Sequence, residues 1–127
     1  MIPALLAIGI HLASAHSEPG FNNINPGLYA VASNGMAAGV YHNSHRKTSA
    51  WAGQVWESDR VAIGSAGVRG ALTAGLVTGY PRSAVLPFGS ASVAVDIGGH
   101  VSVRAAFLPN PLPKAAHVIH FSLEYKL

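Results

Sequence analysis

The last eleven residues, HVIHFSLEYKL (His117–Leu127), alternate in character along their whole length. One face carries His117, Ile119, Phe121, Leu123, Tyr125 and Leu127, and the other carries Val118, His120, Ser122, Glu124 and Lys126. A period of two residues is typical of a β-strand whose two faces lie in different surroundings. The segment therefore predicts a final strand with one apolar and one polar face.

The same alternation extends upstream between closely spaced turn signals such as Asn34-Gly35, Gly79-Tyr80-Pro81 and Pro109-Asn110-Pro111. It predicts strands over 27–32, 36–42, 48–57, 91–97 and 101–108, with a hairpin across Asn34-Gly35. The segment Val61–Thr78 is either one bent strand or two strands broken near Gly70. Helical apolar stripes of comparable quality are lacking. We therefore expect one all-β domain over residues 1–127, a small antiparallel barrel or sandwich of seven to nine strands.

The first fifteen residues, MIPALLAIGIHLASA, allow two interpretations. An apolar run before Ala13-Ser14-Ala15 resembles a signal peptide with a small-residue cleavage site. Against this, the run has no Lys or Arg ahead of it, and Ile8, Ile10 and Leu12 follow the strand period. The alternation favours a first strand.

Composition excludes several classes of protein. Only 10% of the 127 residues are charged and the net charge is +3, with the basic residues spread along the chain. Nucleic-acid binders cluster Lys and Arg on one face, so nucleic acid is an unfavoured partner. The absence of cysteine excludes disulfides and thiolate metal sites.

The two-faced strands fit two different solvents. In a soluble domain the apolar side is the core and the polar side meets water. In an outer-membrane barrel the apolar side meets lipid and the polar side fills the interior. Because several predicted strands reach only six to eight residues and a spanning strand needs about 9–11, the pattern favours a soluble or virion-associated protein, with an outer-membrane barrel as the alternative.

The seven histidines do not form a metal motif. Ligands on one strand face must be an even number of residues apart, whereas His11 and His16 differ by five and His117 and His120 by three. A site would need histidines from different strands, such as His11 and His120. We predict no metal and no cofactor.

Three residues on one face of the last strand carry the catalytic alternative. His120, Ser122 and Glu124 supply a base, a hydroxyl nucleophile and a carboxylate. His120-Phe121-Ser122 resembles the His-x-Ser of the outer-membrane lipid A deacylases, although Glu124 is closer than that pattern expects. The resemblance implies hydrolysis of an acyl ester, with Ser122 as nucleophile and His120 as base.

Two polar stretches, 16–27 and 41–49, predict a recognition surface. Its candidate binding residues are Asn22, Asn23, Asn25, Tyr41, Asn43, Ser44 and Trp51. Together with SAWAG (49–53), TGY (78–80) and VLP (85–87), the motifs NNINPG (22–27) and YHNS (41–44) resemble small β-rich proteins of tailed bacteriophages and prophages. That resemblance implies an accessory or virion-associated role without a settled activity.

Three functions follow from these observations. The favoured one is a non-enzymatic phage-type protein that binds another protein or forms a homo-oligomer. The second is the barrel hydrolase. The third is a module for a polar small molecule or glycan, in which Trp51, Trp56 and Tyr41 offer stacking surfaces.

Overall fold

The chain forms a β-barrel in the computed structural model, which describes residues 4–16, 23–43, 45–80, 83–109 and 118–127. The regular elements of these residues are nine strands: β1 (Leu5–His16), β2 (Ile24–Ala32), β3 (Met36–His42), β4 (Thr48–Glu57), β5 (Val61–Ile63), β6 (Ala66–Tyr80), β7 (Ser83–Asp96), β8 (Val101–Leu108) and β9 (Val118–Lys126). The prediction of an all-β fold is confirmed. No described residue belongs to a helix long and apolar enough to cross a membrane.

The sheet closes because its two outer strands meet. The order β4-β3-β2-β1-β9-β8-β7-β6-β5 is completed by a second pairing of β6 with β4. All pairings are antiparallel, and the last strand lies beside the first, with His11 opposite Ser122 and Ser14 opposite His120. The result is an eight-stranded barrel with one extra short strand, and its closure leaves few unpaired strand edges.

The extra strand β5 extends β4 along the same edge of β6. Glu57 pairs with Ala71 and Val61 pairs with Val68, so three residues (58–60) lie opposite two (69–70) at a bulge. The segment 61–78 is divided, as one of our alternatives had it, but at Gly64-Ser65 and not near Gly70. Gly64 has a φ of 62°, which a tight hairpin turn requires and glycine adopts without strain.

The two ends of the barrel differ. One end, here called the short-turn end, carries the connections 33–35, 64–65 and 97–100, the start of β1 and the end of β9. The opposite end, here called the long-loop end, carries residues 43 and 45–47, the ends of β1, β3, β6 and β8 and the starts of β2, β4, β7 and β9. The described residues of the two polar stretches predicted as a recognition surface, 16–27 and 41–49, therefore lie at the long-loop end.

Large apolar side chains cover the outside of the barrel. Those that are exposed include Ile8, Ile10, Leu12, Leu28, Val40, Trp56, Leu72, Leu76, Val93, Phe107, Ile119 and Phe121. The buried hydrophobic residues are Ala7, Tyr29, Ala37, Ala71, Val77 and Ala94, most of them small. Of the two arrangements that the alternation allowed, the structure has the apolar faces outside and the polar faces inside.

Candidate functional site

Two groups of polar side chains fill the barrel interior. The charged layer consists of Glu57, Arg69, Asp96, Arg104 and Glu124, and it lies toward the short-turn end. The imidazole cluster consists of His11, Ser14, Trp51 and His120, and it lies toward the long-loop end. Both arise because the inward positions of six strands carry polar residues while their outward neighbours are apolar or small.

Arg104 on β8 holds the charged layer together across the lumen. Its Nε lies 2.7 Å from Glu124 Oε2, and its Nη2 lies 3.0 Å from Glu124 Oε1, a bidentate pair with the neighbouring strand. The same Nη2 lies 2.6 Å from Glu57 Oε2 on β4, which is not adjacent to β8 in the sheet. Arg104 therefore connects β8 with the non-adjacent strand β4 across the barrel interior.

Arg69 extends the layer along the wall. Its guanidinium donates to Glu57 at 2.8 Å, to Asp96 at 3.2 Å and to the hydroxyl of Ser102 at 2.8 Å. Arg60 binds the other oxygen of Asp96 from the rim. A polar cleft of about 230 Å³ opens beside these groups at the short-turn end. Three arginines and three carboxylates are thus paired within one interior network.

Tyr29 connects the charged layer to the middle of the barrel. Its hydroxyl donates to Glu124 Oε2 at 2.5 Å, and its oxygen lies 3.0 Å from Ser122 Oγ. A phenol has one proton, so Ser122 is the donor of the second bond. The ring lies over Gly9, where an added Cβ would meet Tyr29 Cζ at 2.0 Å. Gly9 is therefore required by this close approach.

The imidazole cluster is a chain of four side chains from three strands. Trp51 Nε1 lies 3.2 Å from His11 Nε2, His11 Nδ1 lies 2.8 Å from His120 Nε2, and Ser14 Oγ lies 2.8 Å from His120 Nδ1. The rings of Tyr29 and Tyr41 pack on His11, with centroids 4.7 and 5.2 Å away. A hydroxyl, two imidazoles and an indole N–H are therefore aligned inside the barrel.

The three predicted catalytic residues all face the interior but belong to different groups. His120 is in the imidazole cluster and Glu124 in the charged layer. Ser122 is almost fully buried, and its hydroxyl donates a hydrogen bond to the phenol oxygen of Tyr29. Its hydroxyl therefore lies against a phenol, which is a poor base, whereas the hydroxyl within reach of His120 is that of Ser14.

The predicted binding residues have structural partners at the long-loop end. Asn43, which is fully buried, donates to Ser49 Oγ and the Gly79 carbonyl and accepts from two backbone amides of its own loop. Asn25 donates to the His42 carbonyl, and the carbonyl of Asn23 accepts from the Ser14 amide. Asn22 and Ser44 lie outside the described residues. These asparagines organise the backbone where the strands end.

The aromatic residues of the glycan hypothesis do not share a surface. Trp51 and Tyr41 point into the barrel, whereas Trp56 is exposed on its outside. Across the residues that the structure describes, no group of three or more His, Asp or Glu is placed to hold a metal.

Sequence reasoning missed Ser14, Tyr29 and Arg104. It did name His11 and His120 as a cross-strand pair, and the two rings are in contact. Ser14 reaches His120 because the β1–β9 register shifts between His11 and Ala13, which puts Ser14 opposite His120. The position of a bulge cannot be inferred from alternation. An inward Arg in a strand with otherwise small residues was the available signal for Arg104.

The comparisons with known proteins bear on the fold alone. No protein-family model matches the sequence, and no curated protein does. The structure is similar to the solution NMR structure of the de novo designed TMB2.3, with a TM-score of 0.63 over 98% of this chain and 95% of the designed one. The two sequences are 13% identical. A β-barrel likeness at that identity carries no information on the site.

Proposed function

We propose that this chain is a membrane-spanning β-barrel with a closed interior, and that it acts without catalysis by presenting its long-loop end to another protein. The observation that carries the proposal is the apolar outer surface. Soluble monomers rarely expose contiguous apolar patches larger than a few hundred Å². Here the exposed large apolar residues come from all nine strands and the segments beside them.

The distribution of charge supports the same placement. The described charged residues are either inside the barrel or near the strand ends, in the segments 45–47, 57–60 and 124–127. An outward-facing charge in the middle of a strand is absent from the described part of the chain. That is the pattern of a barrel wall in contact with hydrocarbon, where a charge costs a few kcal/mol.

Strand lengths are also compatible with a bilayer. A spanning strand needs about 9–11 tilted residues. β1, β2, β4 and β9 have 12, 9, 10 and 9 residues, and β6 and β7 are longer. β2 and β7 are longer than the predicted segments 27–32 and 91–97, whereas β3 and β8 keep their predicted 7 and 8 residues. Six of the eight barrel strands thus reach the spanning length, which weakens the main argument against a membrane barrel. Short turns at one end and longer connections at the other are typical of such barrels.

The closed interior favours contact over transport. Arg104 and Glu57 are bonded across the interior, and the hydroxyl of Tyr29 is bonded to Glu124 beside them. The described residues of the segments 16–27 and 41–49 lie at the long-loop end, where a protein partner would meet exposed polar side chains such as Asn23, His45 and Lys47. This keeps the protein-contact role that the bacteriophage resemblance implies and assigns it to one end of the barrel.

Folding in detergent and in plain buffer tests the membrane placement. The purified chain is diluted from urea into buffer alone, into micelles and into lipid vesicles, and its mobility in SDS gels is compared with and without boiling. We expect a heat-modifiable band and strand-type circular dichroism in micelles and vesicles, and aggregation in buffer. A monodisperse, folded monomer in detergent-free buffer contradicts the proposal.

Site-specific photo-crosslinking tests the contact end. A photoreactive amino acid replaces either His45 at the long-loop end or Met36 at the short-turn end, both of which are exposed. We expect adducts of defined size from position 45 in the cell that produces the protein, and none from position 36. Equal yields from both positions, or none from position 45, count against the proposed contact end.

A further inference from the structure

The imidazole cluster has a defined direction of hydrogen bonding because one of its ends can only donate. The indole N–H of Trp51 has no lone pair to offer, so the bond of 3.2 Å to His11 Nε2 requires that nitrogen to be unprotonated. The proton of the neutral His11 ring is then on Nδ1. His11 Nδ1 therefore donates to His120 Nε2, 2.8 Å away.

The same reasoning fixes the next ring. Since His120 Nε2 accepts from His11, the proton of His120 is on Nδ1, which faces Ser14 Oγ at 2.8 Å. Ser14 is thus the acceptor at the end of a chain that starts at Trp51. A serine nucleophile needs the opposite direction, because its base must have a free lone pair toward the hydroxyl.

We propose that Ser14, His120 and His11 are a nucleophile, base and orienting residue for acyl-ester chemistry, held in the inactive proton arrangement by Trp51. This inference concerns the interior and goes beyond the proposed membrane role. Distances between the three groups already match those of a nucleophile–base pair oriented by a third group. Only the positions of the protons differ, and a single donor sets them.

Loss of the Trp51 donor lets both imidazoles exchange tautomers. His11 then has its proton on Nε2 and accepts at Nδ1 from His120 Nε2–H, and His120 Nδ1 accepts from Ser14. Ser14 Oγ attacks the ester carbonyl while its proton passes to His120 Nδ1. The ester C–O bond breaks, and the alcohol leaves with the proton from His120. Water hydrolyses the acyl-serine by the reverse proton path.

The indole of Trp51 lies among other aromatic rings, which a smaller aromatic side chain can still contact. Trp51 makes an edge-on contact with Phe88 and a tilted contact with Tyr29, at centroid distances of 5.9 Å in both cases. A phenylalanine keeps an aromatic ring in this position and removes the N–H together with part of the indole volume. Ser14 is half-buried near the long-loop end of β1.

Nitrogen NMR on the unaltered protein tests the tautomers directly. In the folded, ¹⁵N-histidine-labelled chain, long-range proton–nitrogen correlations identify which ring nitrogen carries the proton. We expect both His11 and His120 to be protonated on Nδ1, with assignment by His11→Asn and His120→Asn. A proton on Nε2 of either ring overturns the proposal, and the proton positions are read from the unaltered protein, with the two variants used only to assign its signals.

Labelling by a fluorophosphonate probe tests the nucleophile. We expect Trp51→Phe to react at Ser14 about 100-fold faster than the unaltered protein, the lower end of what a positioned base contributes. Trp56→Phe, on the outer surface, is the matched control and should react as slowly as the unaltered protein. The double variant Trp51→Phe/Ser14→Ala should not react, and heat-modifiable mobility confirms that each variant is folded.

Three results contradict the inference. They are labelling of folded Trp51→Phe no faster than the unaltered protein, labelling that persists in the double variant, and an unaltered protein that already reacts at Ser14 as fast as Trp51→Phe. The membrane proposal is tested separately by refolding, so each can fail without the other.

Discussion

Leu28→Arg distinguishes a wall in contact with lipid from a wall in contact with water. Leu28 is the fifth of the nine residues of β2, and its side chain is 58% exposed on the outside. The first and last residues of the strand are each four positions away, which is about 13 Å at about 3.3 Å per residue. With a strand tilt near 40°, that is about 10 Å along the barrel axis, close to the middle of an apolar band about 25 Å tall.

The expected cost follows from this depth. At the bilayer midplane an outward-facing Arg destabilises a barrel by about 2–4 kcal/mol, whereas near the interface it costs about 0–1 kcal/mol. Met36 is the matched control, because it is also 58% exposed but is the first residue of β3, beside the 33–35 turn. Met36→Arg is therefore expected to cost at least about 1 kcal/mol less than Leu28→Arg.

The free energy of unfolding of each variant is measured by urea titration in lipid vesicles, with tryptophan fluorescence as the signal. If the outer surface were in contact with water, the two variants would lose similar and small free energies of unfolding, because exposed substitutions usually cost within about 0.5 kcal/mol. Equal and small costs for Leu28→Arg and Met36→Arg in vesicles would refute the placement of the outer surface in lipid.

Two further substitutions test the interior. Arg104→Met removes the partner of the buried Glu124 and is expected to lower the free energy of unfolding by about 3–5 kcal/mol. Arg60 is the control, because its side chain is 54% exposed against 11% for Arg104. Arg60→Met should cost less than about 1 kcal/mol in the same denaturation assay. A similar loss for both would show that Arg104 is not desolvated. Gly9→Ala forces Tyr29 to move and should cost about 1–3 kcal/mol, while Gly89→Ala, whose Cβ would have its nearest neighbour at 3.8 Å, should leave the thermal midpoint nearly unchanged.

Much of the fold could be predicted because alternation and turns are local properties. The strands β4 and β8 coincide with the predicted segments 48–57 and 101–108, and the hairpin between β2 and β3 lies across Asn34-Gly35 as predicted. Closure could not be predicted in the same way. It depends on the pairing of β4 with β6 and of β1 with β9, between residues far apart in the chain.

The candidate site was predicted only in part, for a reason of register. A period of two indicates which residues share a face, and it correctly put His120, Ser122 and Glu124 on one side of the last strand. It does not indicate which residue of the neighbouring strand lies opposite. The irregularity between His11 and Ala13 places Ser14 opposite His120, and Ser122 comes to face Tyr29.

Alternation also does not indicate which face of each strand points into the barrel, because the apolar and the polar residues repeat with the same period of two. Charge content is the property that decides. Soluble domains carry about 25% charged residues, and this chain has 10%. Glu57, Arg69, Asp96, Arg104 and Glu124 are paired with one another inside the barrel. The few charges that remain are too few to cover the outer wall of a barrel in water. A β protein with so few charged residues is therefore better explained by an arrangement in which the charges are paired inside the barrel and the outer wall is apolar.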